Sequence, residues 1–522
     1  MTAPGEEPPR ATPAGLQQQA VRGAGWTVLH TVLSLPTAFV VNLLLARVLG
    51  VVDYGRLTFL TLLITTAGSI AALGVGTGTL QFGAKAHAAG RTNEVQQLLR
   101  AGSAWRLLVS APLVTLVVLI VVKLDPGIMA IAVVFGVWVP AALGGLGIAI
   151  NIENKTARAA QVAMVGNVVT QVAVVAVLFW RESADAVWAA RMVASAVVVL
   201  MLYPYITKLY RRAVLFPGSL RNLPRGFWRF AIPAGLSSTL GMLVLSRSEV
   251  LFLQWLSDPV SVGLFGLAFG LAVHIFAPAQ ALVGPLVPAV SGLAEIDPDA
   301  VRPAFTRTLR SSSTAAAIVT ASVLPAFAAL VPRLYGYEYT EAAELVLALG
   351  IISSFGILGG PLTAFVMARL GGTRMLRIDV VALIINVVAA LVFIPLAGAW
   401  GAVIANALAM LVRVSMLVAG EARHLGVTVR SCWAYALPAL LAPVIAVVLW
   451  MITLGLARHD ILRGSILGAA GGVGLILLIR VTSSGITAAD QSAILRLAPL
   501  RFRKKASWVL GLVTSPKMMR TS

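Results

Sequence analysis

Apolar stretches of about twenty residues recur about fourteen times along this chain, and a run of that length is what an α-helix needs to cross a bilayer. They fall near residues 24–46, 57–80, 105–122, 128–150, 161–180, 186–206, 230–256, 262–287, 314–331, 342–367, 375–395, 401–419, 433–456 and 461–479. Each run is continuous, whereas the strands of a membrane barrel alternate apolar and polar residues. With 59% apolar and 11% charged residues, no water-soluble packing buries so much apolar surface. The expected fold is an all-α polytopic membrane protein.

Lys and Arg alternate between rich and poor loops. Counting by loop puts roughly 31 of the 40 on the side that holds both termini and roughly 8 opposite, which makes the first face cytoplasmic. Asp and Glu divide almost evenly, so the net charge of +20 belongs to the inner face and needs no nucleic acid to explain it. Residues 1–20 read as a disordered cytoplasmic tail. Residues 483–522 read as a basic cytoplasmic tail, where Arg496, Arg501, Arg503, Lys504 and Lys505 alternate with apolar residues in a pattern suited to anionic lipid. Cys432 is the single cysteine, so no intrachain disulfide or cysteine-based metal site forms.

Internal repetition organises the membrane part. An offset of 208 positions pairs Leu45 with Leu253, Val52 with Val260 and Gly55 with Gly263, and a slightly longer one sets Asn167-Val168-Val169 against Asn386-Val387-Val388. Two six-helix lobes, 21–212 and 213–424, followed by two added helices in 425–482, account for the pattern; chance similarity among Ala, Val and Leu is the competing explanation.

The stretch Leu45-Ala46-Arg47-Val48-Leu49-Gly50-Val51-Val52-Asp53-Tyr54-Gly55 resembles the A-R-x-L-G-x-x-D-Y-G signature that follows the first helix of polysaccharide-export flippases. These belong to the multidrug/oligosaccharidyl-lipid/polysaccharide exporter superfamily. In the second repeat, Glu249 and Gly263-Leu264-Phe265 depart from the usual pattern by Glu for Asp and Phe for Tyr. The resemblance implies a flippase that moves a polyprenyl-pyrophosphate-linked oligosaccharide from the inner to the outer leaflet of a bacterial cytoplasmic membrane by alternating access. It implies no chemistry of its own and no cofactor. Its partners would be the lipid-linked oligosaccharide, membrane lipid, and polysaccharide polymerases or glycosyltransferases. A cation-coupled multidrug exporter and a lipid II flippase of the same superfamily are the alternatives. A membrane-embedded polymerase would need a long outer loop, and the longest here, near residues 333–341, spans about ten residues.

Such a task sets the side-chain chemistry to look for. Each sugar hydroxyl stripped of water without a hydrogen-bonding partner costs about 2 to 7 kcal/mol, so the headgroup needs a polar, cationic path while its isoprenoid stays in lipid. Arg247 and Glu249 are read as the one strongly charged pair inside a span. Arg247 suits a pyrophosphate, and Glu249 a coupling cation or proton, unless the two merely neutralise each other. Arg47 and Arg56 flank the loop after span one; one of them is expected to pair with Asp53, and the loop is either a late phosphate site or a glycine-containing turn. His274 in span eight is either a proton relay or a neutral histidine bonded to a neighbouring helix. Asn42 and Asn386, with Asn167, Gln171, Gln280 and Asn406, suit sugar hydroxyls or interhelical hydrogen bonds equally well. Gly78 to Lys85 lacks the Gly-Lys-Ser/Thr ending of a phosphate loop and follows no strand.

Overall fold

The computed structural model describes residues 13–220, 223–245, 248–280, 299, 301–368, 372–456, 460–482, 484–488, 490–492, 507 and 510–514. Among these, eleven helices are long and apolar enough to cross a membrane. Two of them carry two spans each, because Pro13–Ala72 breaks at Gly50 (φ 72°) and Gly372–His424 breaks at Gly398 (φ 52°). Span seven comprises Phe227–Leu245 and Ser248–Leu256. The expected apolar runs thus fall mainly on helices where they are described, with residues 246–247 of the seventh and 281–287 of the eighth outside the described residues, and no strand forms among the described residues.

The chain forms two compact units, Met1–Ser246 and Arg247–Ser522. Repetition shows in their irregularities. Gly50 breaks the first helix, and 208 positions later Asp258 caps Pro259–Gln280, its Oδ1 accepting from Ser261 N at 3.0 Å. Hydrogen bonds from the Ser261 hydroxyl and backbone hold the Asp258 carboxyl below its ordinary range. A π-helical turn interrupts span three at Arg106–Ser110, and another interrupts span nine at Val319–Val323. Such turns are rare and frequent at functional sites.

Small residues set the closest approaches, as expected where lipid supplies no hydrophobic force between helices. In the first unit, span two breaks at Leu73 and Gly74 before resuming as Val75–Ala88. A Cβ on Gly74 would sit 2.0 Å from the Ala231 carbonyl oxygen and 2.7 Å from the Gly235 Cα, so only hydrogen fits there. In the second unit, a Cβ on Gly471 of Asp460–Thr482 would lie 1.8 Å from the Ala321 carbonyl oxygen. Trp105 and Ser110 both donate to the Ala71 carbonyl, at 3.1 and 3.0 Å, satisfying an acceptor that the break in span two exposes.

Three expectations need correction. The first helix begins at Pro13, inside the segment read as disordered. The loop near 333–341 is a tight turn: the helix runs on to Tyr335, Tyr337–Tyr339 forms one 3-10 turn, and the next helix starts at Thr340. Tyr335 and Tyr339 are buried with ring centroids 6.2 Å apart, so of this turn's tyrosines only Tyr337 is exposed. At the other end, Ile486 pairs with Thr514, and both Ile486 and Val513 pack on Ala317, Ala321 and Ile479. This part of the expected tail therefore folds back on the helices, while Arg496, Arg501, Arg503, Lys504 and Lys505 lie outside the described residues.

Candidate functional site

In the second unit, the break at Gly398 folds spans eleven and twelve into a hairpin. Asn386 on one arm and Asn406 on the other reach the same carboxylate. Glu249, fully buried on Ser248–Leu256, accepts at Oε1 from Nδ2 of Asn386 at 2.7 Å and from Nδ2 of Asn406 at 2.9 Å. Ser248 Oγ donates to Oδ1 of Asn386 at 3.3 Å, which turns the amide nitrogen towards the acid. Glu249 Oε2 is buried and has no hydrogen-bond partner among the described residues.

The chemistry of this donor set is selective. An ionised side chain at the bilayer centre costs about 2.5 to 3.5 kcal/mol on insertion scales, so an acid buried within a span marks a candidate site. Both amides present N–H rather than oxygen to the carboxylate, which suits an acid or its anion and opposes a metal ion at Oε1. No cluster of three or more His, Cys, Asp or Glu suited to a metal occurs among the described residues. Oε2 is the atom left to carry a proton.

Two helical turns from this cluster, the same hairpin holds a buried ion pair that sequence reading missed. Arg413 Nε donates to Asp379 Oδ1 at 2.9 Å, and the two residues are 5% and 2% exposed. Asp379 lies seven positions before Asn386 and Arg413 seven after Asn406, so the two rungs share one register. Further along, Arg374 Nη1 stands 3.6 Å from the buried Glu421 Oε1. The expectation that Arg247 and Glu249 are the one charged pair within a span is therefore corrected by Asp379 and Arg413.

The remaining candidates are placed as follows. Arg247 lies outside the described residues. His274 Nδ1 donates to the Gly270 carbonyl of its own helix at 2.6 Å, not to a neighbouring helix. Asn42 is half-buried and Arg47 exposed, both on Pro13–Ala72. Arg56, just past the Gly50 break, takes Asp185 as its hydrogen-bonded partner rather than Asp53, with Nε 2.6 Å from Oδ1, and also donates to the Lys123 carbonyl at 2.9 Å. It thereby ties together three connections at one end of the first unit. Arg106 in span three, also missed, donates from Nε to the Ala141 carbonyl at 3.2 Å and from Nη2 to Ser103 Oγ at 2.9 Å; no carboxylate pairs with it among the described residues.

The chain matches the family model described as "Polysaccharide biosynthesis protein" over residues 20–293. No curated protein matches it. Among solved structures, it is similar to the lipid II flippase MurJ in an inward closed conformation, with a TM-score of 0.57 and 11% identity over 87% of this chain and 99% of that one. An inward-facing multidrug resistance MATE family transporter of the MOP superfamily gives a TM-score of 0.56 and 16% identity over 74% and 95%. A MOP superfamily transporter from Pyrococcus furiosus gives 0.52 and 16% over 79% and 97%. At these identities the shared property is the fold.

Proposed function

Since the chain belongs to the polysaccharide biosynthesis protein family, we propose that it is a flippase, moving a polyprenyl-pyrophosphate-linked oligosaccharide from the inner to the outer leaflet of a bacterial cytoplasmic membrane. Both termini face the cytoplasm in this reading. Transport proceeds by alternating access and makes or breaks no bond in the substrate. The sugar and pyrophosphate cross through polar surroundings while the isoprenoid stays in apolar ones, since neither part tolerates the other's medium.

The observation that carries the mechanism is the Glu249 carboxyl, with one oxygen held by Asn386 and Asn406 and the other without a partner among the described residues. A proton taken up at Oε2 neutralises the acid without disturbing its two amide bonds. Its release leaves an anion that those amides already solvate. The site thus has two protonation states within one framework, which is what coupling to a proton gradient requires. Asn42, Arg47, Arg56 and Arg247 remain candidate contacts for the headgroup, and His274 a second proton-carrying group.

Reconstitution into liposomes tests the proposal. A fluorescent lipid-linked oligosaccharide should move to the far leaflet, faster with an imposed pH gradient, and Glu249→Gln should abolish the gradient's effect while the protein stays monodisperse. Export of cationic dyes with no movement of the lipid would point instead to a multidrug exporter, for which a buried acid is equally suited. Movement of lipid II alone would narrow the substrate to peptidoglycan precursor. Gradient-driven transport by Glu249→Gln equal to wild type would remove Glu249 from coupling.

A further inference from the structure

Arg106 stands midway along Thr92–Val121, at the start of the π-helical turn. Its guanidinium fits because two adjacent glycines of the neighbouring span leave side chains out. A Cβ on Gly145 would lie 2.5 Å from Arg106 Nη2, and one on Gly144 would be 3.8 Å from its Cδ. Two of its N–H groups bond to Ala141 and Ser103, and Nη1 has no partner among the described residues. The residue as a whole is half-buried.

Thr79, on Val75–Ala88, faces the same place. It is 1% exposed, yet its Oγ1 is a buried hydroxyl with no partner among the described residues. Both groups converge on Gly102. The point where a Cβ on Gly102 would stand is 3.1 Å from Thr79 Oγ1 and 3.4 Å from Arg106 Nη1. A cation without a carboxylate and a hydroxyl without an acceptor thus stand together beside Gly102, close enough that a Cβ there would crowd both. Native interiors rarely leave such groups unpaired unless a ligand or water completes them. The chemistry of the pair is that of an oxyanion receptor: a charged N–H donor and an O–H donor, with no acidic group between them to repel the anion.

We propose that Arg106 and Thr79 bind a phosphate oxygen beside Gly102, within the first unit. Resting on the flippase reading for its lipid, this assigns the pyrophosphate of the substrate to a site near mid-span. In the second repeat the π-helical turn begins at Val319, so the cation has an apolar counterpart there.

Binding to the full-length protein in nanodiscs, read by native mass spectrometry, tests the site. The probes are a polyprenyl pyrophosphate, the corresponding polyprenol, and inorganic pyrophosphate. Wild type should prefer the pyrophosphate lipid to the polyprenol. Arg106→Gln should weaken that lipid about tenfold or more, and Thr79→Val by a smaller factor, with polyprenol unaffected. Gly102→Ala keeps both polar groups and fills the space, so it should weaken binding as Arg106→Gln does. It also carries the test if Arg106→Gln fails to fold. Wild-type affinity for the pyrophosphate lipid in folded Gly102→Ala and Thr79→Val would overturn the site and leave the flippase reading standing. Inorganic pyrophosphate bound by wild type and lost in Gly102→Ala, with no lipid bound by either, would keep the oxyanion site and overturn the flippase reading.

Discussion

Asp379 and Arg413 lie on opposite arms of one bent helix, and their side chains meet at 2.9 Å with almost no exposure to the surroundings. A Cβ on Gly359 would lie 3.6 Å from Arg413 Nη1, so a helix outside the hairpin also borders the guanidinium. Removing one partner of such a pair strands the other charge, at a cost of about 3 to 5 kcal/mol, whereas replacing both with apolar residues is often neutral. Arg413→Ala should lower the thermal midpoint of the purified protein sharply. The double variant Asp379→Leu with Arg413→Leu should recover most of that loss. A double variant as unstable as the single one would show that the pair contributes more than mutual neutralisation.

Asn406 contributes one of the two amide bonds to Glu249. A hydrogen bond to a charged group contributes about 1.5 to 3 kcal/mol. Asn406→Leu should therefore slow gradient-driven flipping by about tenfold or more, with less effect on the amount of folded protein than Arg413→Ala. Flux at the wild-type level would detach the amide from coupling.

Gly74 combines a left-handed backbone with contact against Ala231. A left-handed conformation alone costs a side chain about 1 to 2 kcal/mol, and the overlap adds to it. Gly74→Ala should cut membrane abundance strongly. Gly68→Ala, where a Cβ meets nothing within 4 Å, should leave abundance unchanged. Equal abundance of the two variants, measured by quantitative immunoblot, would mean that this helix contact shifts at little cost.

Asp490 anchors the folded-back C-terminal segment, accepting from Arg310 Nε at 2.9 Å and from Thr487 N at 3.0 Å, with Arg307 Nε 3.0 Å from its other oxygen. Burial pushes its carboxyl up, but the Thr487 hydrogen bonds and the Arg310 charge outweigh that and hold it below its ordinary value. A depressed carboxyl contributes stability that is present above the unfolded value, about 3.9, and is lost as pH falls through the folded one. Below about pH 4 the wild type should lose protection of residues 484–488, 490–492 and 510–514 against proteolysis. Asp490→Asn should show the weaker protection already at neutral pH, and a smaller acid-induced loss.

Much of this architecture was legible because a twenty-residue apolar run has so few alternatives, and Glu249 was legible because a charge in the middle of such a run stands out. Arg106, Asp379 and Arg413 were not, for one shared reason. All three lie within two turns of the end of an apolar run, where a charge reads as part of the adjoining loop. The apolar run of span three starts at residue 105, whereas its helix starts at Thr92, so a side chain read as lying at the membrane edge stands midway along the helix. Asp379 and Arg413 sit close to the loop charges Arg374, Arg377, Glu421 and Arg423 and merged with them in the loop count. Their matching distance from Asn386 and Asn406 was the available signal. It becomes meaningful only once the Gly398 break folds the two arms together.

On the two-repeat reading, the π-helical turns of spans three and nine fall in corresponding helices, yet the halves do not carry the same chemistry there. Arg106 opens the π-helical turn of span three where Val319 opens that of span nine, and at the 208-position offset Glu249 corresponds to Val41. A homodimer assembled from either half would hold its acid twice or not at all, and likewise its cation. Joining the halves in a single polypeptide is what allows one molecule to own one of each.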